Sequence, residues 1–362
     1  MERYINKIGK RPPYHVSDDI RRVHDQLVIV DLHADSLLWN RDLLERSNYG
    51  HVDFQRLSDG NVAIQVFGVV TGFPFGINLK KISLNIDLVT LLSMINHWPL
   101  RTWWDPFQRA VYQSQKLEEL IGRSNGKMIL IKNIKDMDRF LILRKNQRGT
   151  IGSMLALEGA HALNGELSNL KILYDLSFRI FGISHFSDNE AGGSAHGREK
   201  GGLSAFGHEL VEMLQEMHMI IDLSHASGRV IDEVTQIVET PVIVSHTGVC
   251  GICNNPRNLT DSQIRKIARA GGLIGIAMFR KATCGKRIEN VARTIRYVAD
   301  LAGVDCVAIG SDFDGAITAP FDASGLSLLT EGLLAQSFNE SQITKIMGGN
   351  ALRVFREVLP TG

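Results

Sequence analysis

The residues of this 362-residue chain that could do chemistry together are imidazoles and carboxylates placed where apolar runs end. The first set closes the run Leu27-Val-Ile-Val-Asp31-Leu-His33-Ala-Asp35. Strand side chains alternate between faces, so Asp31, His33 and Asp35 are expected on one side. A histidine and a carboxylate two apart, facing together at a strand end, can hold one divalent metal from two directions. His-X-Asp is common, however, and an Asp-capped turn explains it equally well. What distinguishes this chain is recurrence. Glu158 ends an apolar run, His185, His225 and His246 end three more, and Asp312 with Asp314 ends the last. Singly, a strand-end histidine is a satisfied loop residue and a strand-end aspartate a helix cap. Gathered at one mouth, such groups repel and desolvate one another unless something positive sits among them.

The donor types select the metal. Neutral imidazole plus carboxylate, without thiolate, suits zinc, with manganese or cobalt as substitutes. His33, Asp35, Glu158, His225 and His246 make five ligands, too many for one catalytic zinc. They suit two ions about 3.5–4 Å apart sharing a carboxylate and a bridging hydroxide. Such ions bring the pKa of water to about 7 and polarise the carbonyl it attacks. Asp312 is then free to take and return the proton.

The elements that position these residues follow from the same rhythm. Strand candidates lie at residues 27–35, 62–70, 152–159, 178–185, 219–225, 241–246, 272–279 and 307–315, most of them apolar on both faces. Helical patterns separate them at 167–176, 204–218, 229–238, 261–269 and 287–302, with a last one at 341–358. A capped helix is expected at 17–25 and another at 36–46. Strands alternating with helices imply parallel βαβ units, and two-faced apolar strands imply a covered sheet. Eight units predict a (β/α)8 TIM-type barrel of the metal-dependent hydrolase kind, with its site at the C-terminal strand ends. An open doubly wound sheet is the alternative, weakened because no Gly-X-Gly-X-X-Gly follows the first strand. With no internal repeat or low-complexity linker, residues 1–362 read as one domain. Residues 72–149 form its longest excursion, with helical spacing at 82–98, 107–121 and 134–145. The aromatic cluster Trp98-Pro-Leu-Arg-Thr-Trp-Trp between them reads as core under a loop, or as a pocket wall. His51 has no evident partner and is expected to pack or face solvent.

Composition sets the bounds. Forty basic against thirty-nine acidic residues leave a formal charge of +1, with no basic blocks, so neither a nucleic-acid nor a membrane-surface binder is expected. No apolar run approaches the roughly 18 residues of a membrane span. Without signal-like or anchor-like termini, a cytoplasmic location is the expectation. Four cysteines in so long a chain do not make a disulfide framework, and Cys250-Gly-Ile-Cys253 reads as two small loop or core residues.

Several segments together carry a resemblance: Glu158-Gly-Ala-His161, Gly182-Ile-Ser-His185-Phe, Gly192-Gly-Ser-Ala-His-Gly197, Gly202-Leu-Ser-Ala-Phe-Gly207, Ile221-Asp-Leu-Ser-His225, Pro241-Val-Ile-Val-Ser-His246, Arg257-Asn-Leu-Thr-Asp261, Gly271-Gly-Leu-Ile-Gly275 and Gly310-Ser-Asp312-Phe-Asp-Gly315. From about Val28 to Phe355 the chain resembles the renal (membrane) dipeptidase family, and its bacterial-type members in particular. The resemblance implies a dinuclear zinc (β/α)8 metallopeptidase that hydrolyses dipeptides, including those with a D-residue on the C-terminal side. It implies two zinc ions per chain, one on His33 and Asp35, the other on His225 and His246, with Glu158 bridging. It gives His185 the contact to substrate and to the scissile carbonyl's developing charge, Arg257 the substrate's free carboxylate, and Asp312 the acid–base role. The Arg257 role also follows from chemistry, since a planar guanidinium pairs bidentately with a carboxylate.

The family's usual Asp-Gly-His-Asn-Asp is here Asp31-Leu-His33-Ala-Asp35, which keeps both ligands and changes their support. Two other readings compete. In one, the same barrel hydrolyses another carboxylate-bearing amide, ester or lactam; in the other, it is a non-catalytic binding barrel. The expected partner is a small dipeptide; a homodimer is left open, since the sequence does not reveal the oligomeric state.

Overall fold

The computed structural model describes residues 2–74 and 87–362. Eight parallel strands close on themselves: β1 (Ile29–Ala34), β2 (Val62–Val70), β3 (Ile151–Glu158), β4 (Phe178–Gly182), β5 (Ile220–Asp222), β6 (Ile243–Thr247), β7 (Leu273–Ile276) and β8 (Val307–Ile309). β8 pairs with β1, and β2 pairs with β3 from Ile64 opposite Gly152 to Val70 opposite Glu158. The closed (β/α)8 barrel expected from the alternating pattern is therefore the fold. Short strands lie outside it: Met128–Leu130 extends the edge of β3, and Lys7–Ile8 pairs with Thr318–Ala319.

The strands are buried on both faces, as their apolar runs require. Val30, Leu32, Ile64, Val66, Met154, Ala156, Ile180, Ile220, Ile243, Leu273 and Ala308 pack into one cluster fed by all eight strands. A second, larger cluster joins the opposite strand faces to the surrounding helices. Fully burying a branched aliphatic side chain is worth about 1.5–3 kcal/mol, so these two layers fix the strand ends that carry the site.

Most helices fall where the periodicity puts them, with caps that explain their starts. Asp18–Asp25 is capped by Ser17, Ala205–Glu216 by Ser204, and Asp261–Arg269 by a Thr260/Gln263 capping box. The helices Ser168–Asp175, Gly228–Ile237 and Ile288–Ala302 also match, as do Pro106–Arg123 and Ile134–Asn146 in the excursion. Of the helical stretch expected at 82–98, residues 82–86 lie outside the described residues; the described helix runs Leu88–Ile95.

Four expectations need correction. Residues 36–46 are not a helix: only Ser36–Leu38 turns, because Ser36 Oγ donates to Asp314 Oδ2 (2.7 Å) and Trp39 Nε1 to Asp314 O (2.7 Å), pinning the chain to the β8 loop. The last helix is split into Glu340–Thr344 and Asn350–Val358 by a π-type turn at Lys345–Gly349. There the Gly348 backbone approaches β1 so closely that a Cβ would sit 1.9 Å from Val28 O. Ser327–Ala335 is an additional helix, missed because its apolar residues show no one-sided stripe. Finally, Cys253 is disulfide-bonded to Cys284, joining the loops after β6 and β7, while Cys250 is free. The CxxC spacing pointed to neither fact, since the partner lies 31 residues away.

Candidate metal centre

The first histidine is not aimed by simple alternation. The β1–β2 register runs Asp31 opposite Gln65, then Ala34 opposite Phe67, so β1 carries one extra residue between them. Such a bulge re-aims side chains. The expectation that Asp31, His33 and Asp35 share a face is corrected here. Asp31 turns its carboxylate onto Ser311, accepting from its N–H (2.8 Å) and hydroxyl (2.6 Å), and only His33 and Asp35 reach the mouth. Opposite, Gly68 leaves the room: a Cβ there would lie 2.6 Å from both Asp35 Oδ1 and His33 Cε1. β6 repeats the device, with a register shift between Val244 and Thr247 that spans His246. His225 and Asp312 sit in the left-handed region, at φ 63° and 60°. Such conformations are uncommon for side chains with a Cβ and concentrate at functional sites.

These irregularities converge on Glu158. Its Oε1 is 3.1 Å from His33 Nε2, 3.6 Å from His246 Nε2 and 3.8 Å from His225 Nε2; its Oε2 is 3.0 Å from His185 Nε2. His33 Nε2 is also 3.1 Å from Asp35 Oδ1. Ligand atoms of His33, Glu158 and His246 lie within 4.8 Å of one another, as do those of Glu158, His185 and His225, and of His33, Asp35 and Asp312. Each of these residues is buried. Seven of the nine strand-end residues singled out from the sequence are thus brought together; Asp31 and Asp314 are bonded elsewhere, to Ser311 and to Ser36.

The rings are held from behind. His185 Nδ1 donates to Gly72 O (3.0 Å), turning Nε2 to Glu158. Ser245 Oγ donates to Asp222 Oδ2 (2.5 Å) and lies 2.9 Å from His246 Nδ1, which leaves His246 Nε2 for the cluster. Nδ1 of His33 and of His225 is buried without a partner among the described residues.

The electrostatics call for a cation. Burial, and then the neighbouring Glu158, push Asp35 up; burial and Asp35 push Asp312 well up. Burial opposes charge on His33 too, yet Glu158 and Asp35 raise its pKa well above the ordinary value. Burial opposes charge on Glu158, yet His185 and His33 hold it well below the usual carboxylate range. His225 is driven well down by burial and Arg257, His246 by burial and His33. Three crowded carboxylates and neutral imidazoles with free lone pairs fit divalent metal, and need compensating positive charge.

Around the cluster opens a cavity of about 450 Å³. Arg257 forms part of its wall. Nη2 donates to His246 O (2.5 Å) and Nη1 to Thr247 Oγ1 (3.3 Å), and no carboxylate pairs with it among the described residues. Burial lowers its pKa to about 10, against the pull of Asp312, so it is a cation at neutral pH.

Two residues went unassigned in the sequence. His196 lines the cavity, fully buried, with neither ring nitrogen partnered among the described residues and its ring 5.4 Å from that of His225. A histidine in a glycine-rich loop carries no spacing signal. His51, for which the sequence names no partner and a packing or surface role is expected, is fully buried: Nδ1 accepts from Asp314 N (2.9 Å) and Nε2 donates to Lys7 O (2.9 Å). The aromatic cluster is divided between core and surface, with Trp98 buried and Trp104 exposed, and does not line the cavity.

A closed parallel barrel with histidines and carboxylates clustered at the C-terminal ends of its strands defines a metal-dependent hydrolase type of site. Residues 17–361 match the family described as Membrane dipeptidase (Peptidase family M19), and the chain belongs to that family of metallopeptidases. It is 28% identical to the dipeptidase aclJ of Aspergillus oryzae over 94% of this chain and 80% of that one. It is 33% identical to the dipeptidase verJ of Clonostachys rogersoniana over 73% of this chain and 68% of that one. In fold it is similar to a Rhodobacter sphaeroides metallopeptidase solved with a phosphinate mimic of the dipeptide L-Ala-D-Ala. That match has TM-score 0.76 and 20% identity and covers 92% of this chain and 99% of the other. No helix among the described residues is long and apolar enough to cross a membrane.

Proposed function

We propose that this chain is a dinuclear zinc dipeptidase acting on dipeptides with a free C-terminal carboxylate, including those whose second residue is D. The observation that carries the reading is the central place of Glu158, whose two oxygens face four imidazoles at 3.0–3.8 Å. A carboxylate so shared suits a bridge between two ions. His33 and Asp35 would hold one, His225 and His246 the other. Bound zinc would supply Lewis acidity and a water acidic enough to ionise near neutral pH.

The chain's own residues do the rest. Arg257, anchored along one edge by His246 O and Thr247 Oγ1, keeps donors free for the substrate's carboxylate. His185, fixed through Gly72 O, presents Nε2 toward the scissile carbonyl, where negative charge develops. Asp312 removes a proton from the attacking water and returns it to the leaving amine as the C–N bond breaks. The second residue's configuration matters little to a carboxylate clamp, which is why D-residues are included; the phosphinate seen in the R. sphaeroides relative mimics such a dipeptide.

The test is a panel of L,L- and L,D-dipeptides, free and C-terminally amidated, with zinc-loaded native and Arg257→Ala protein. Free acids should be hydrolysed and amides poorly. Arg257→Ala should lower kcat/KM strongly with metal content intact, and Arg257→Lys should recover it only in part. Equal cleavage of amides and acids by the native protein sinks the carboxylate role.

A further inference from the structure

The cavity above the site has two unlike halves. In the closed barrel β2 stands across from β6. The end of β2, the loops after β1 and β2 and the helix Leu88–Ile95 contribute Leu38, Trp39, Val70, Phe73, Val89 and Leu92. All six belong to one packed cluster backed by the buried Trp98. Their placement is firm: Trp39 Nε1 is bonded to Asp314 O, and Lys116 Nζ donates to the carbonyls of Leu37 (2.6 Å) and Trp39 (2.7 Å). The facing half, built by the loops after β6 and β7, carries the cations Arg257, Arg280, Lys281 and Lys286, with the ring of Phe279 beside them. Among the described residues, the carboxylates lining the cavity, Asp35, Glu158 and Asp312, stand with the clustered histidines.

This division orients a dipeptide. With its carboxylate on Arg257 and its scissile carbonyl over the cluster, the residue before the scissile bond extends away from β6. The reversed orientation would set the ammonium group against four cations and the carboxylate against Asp35 and Asp312. On the dipeptidase reading above, we propose that the apolar half is the pocket for the first residue's side chain, and that the enzyme selects dipeptides beginning with a large apolar residue. An apolar wall rewards each added methylene and offers no partner to a polar side chain, whose desolvation then goes uncompensated.

The test is kcat/KM of the zinc-loaded native protein for Leu-Gly and Phe-Gly against Gly-Gly, Ser-Gly, Gly-Leu and Gly-Phe. Leu-Gly and Phe-Gly should exceed Gly-Gly by roughly tenfold or more, within the range a hydrophobic pocket supplies. Moving the same side chain to the second position should lose that gain. Leu92→Ala, read as the Leu-Gly to Gly-Gly ratio within the variant, should shrink the preference. Turnover of the panel with no first-residue preference, or with a preference that follows the second residue, overturns this inference and leaves the dipeptidase reading standing. No turnover of any dipeptide overturns both.

Discussion

His225 Nε2 and His246 Nε2 face each other at 2.9 Å inside the barrel mouth. His246 presents a lone pair there, because its Nδ1 proton is directed to Ser245 Oγ, which is itself bonded to Asp222. Two ring nitrogens turned to one point beside a carboxylate oxygen are placed for a shared cation. The Asp222–Ser245–His246 relay fixes one of them, and outer contacts of this kind typically set metal affinity within a factor of 10 to 100.

Ser245→Ala removes the acceptor for His246 Nδ1 and leaves the ligands in place. Zinc affinity, measured by chelator competition, should fall by roughly 10- to 100-fold. Unchanged affinity would mean that the relay does not orient His246.

Gly68→Ala tests the space that the β1 bulge needs. The added methyl would meet Asp35 Oδ1 and His33 Cε1 at 2.6 Å. Circular dichroism should stay native, while bound metal drops and activity falls by about two orders of magnitude, comparable to losing ligand support. A fully loaded, active Gly68→Ala protein would contradict the described packing.

Asp312 and Asp314 separate chemistry from support. Asp312 faces the cluster. Asp314 is fully buried and accepts from Ser36 Oγ, His51 N and Arg41. Although burial alone would raise its pKa, Arg41 and His51 hold Asp314 well below the usual carboxylate range. Asp312→Asn should keep metal and lose roughly two to four orders of magnitude in kcat with little change in KM. Asp314→Asn should instead destabilise the fold, by about 3–5 kcal/mol if the buried charges are left uncompensated. The assignment is reversed if Asp314→Asn stops turnover in a stable, metal-loaded protein while Asp312→Asn stays active.

Histidines kept neutral by burial set a pH limit on the fold's stability. Burial lowers the pKa of His24 from 6.5 to about 4; its ring lies 2.9 Å from Thr330 Oγ1 and 3.2 Å from Gly60 O. Burial, followed by the neighbouring His185, takes His161 from 6.5 to about 4 as well. Between those values the unfolded chain binds protons that the folded chain refuses. The contribution is therefore complete above pH 6.5 and lost as pH falls toward 4. Urea unfolding from pH 7.5 to 4.5 should show the decline, and His24→Gln should flatten it by about 1–3 kcal/mol across the window. Equal slopes for the two proteins would remove His24 from the account.

The barrel was legible because strands covered on both faces write long apolar runs, and all eight runs mark barrel strands. The clustered imidazoles and carboxylates were legible because each interrupts such a run at its end. How they are aimed was not. Period-two alternation predicts that Asp31 faces with His33, but the bulge in β1 turns Asp31 onto Ser311, and a bulge depends on the partner strand. The same limit hides the Cys253–Cys284 bond and the burial of His51, which arise from loops that meet only once the barrel closes. His196 carries no periodic or spacing signal at all.

The central claim is that the cluster around Glu158 is a two-metal hydrolytic centre. Elemental analysis and Leu-Gly turnover on the same preparation, before and after chelation and zinc reconstitution, test it directly. About two zinc ions per chain should return together with activity, and Glu158→Gln should lower both. One ion or none after reconstitution, or hydrolysis that survives complete removal of metal, would contradict it.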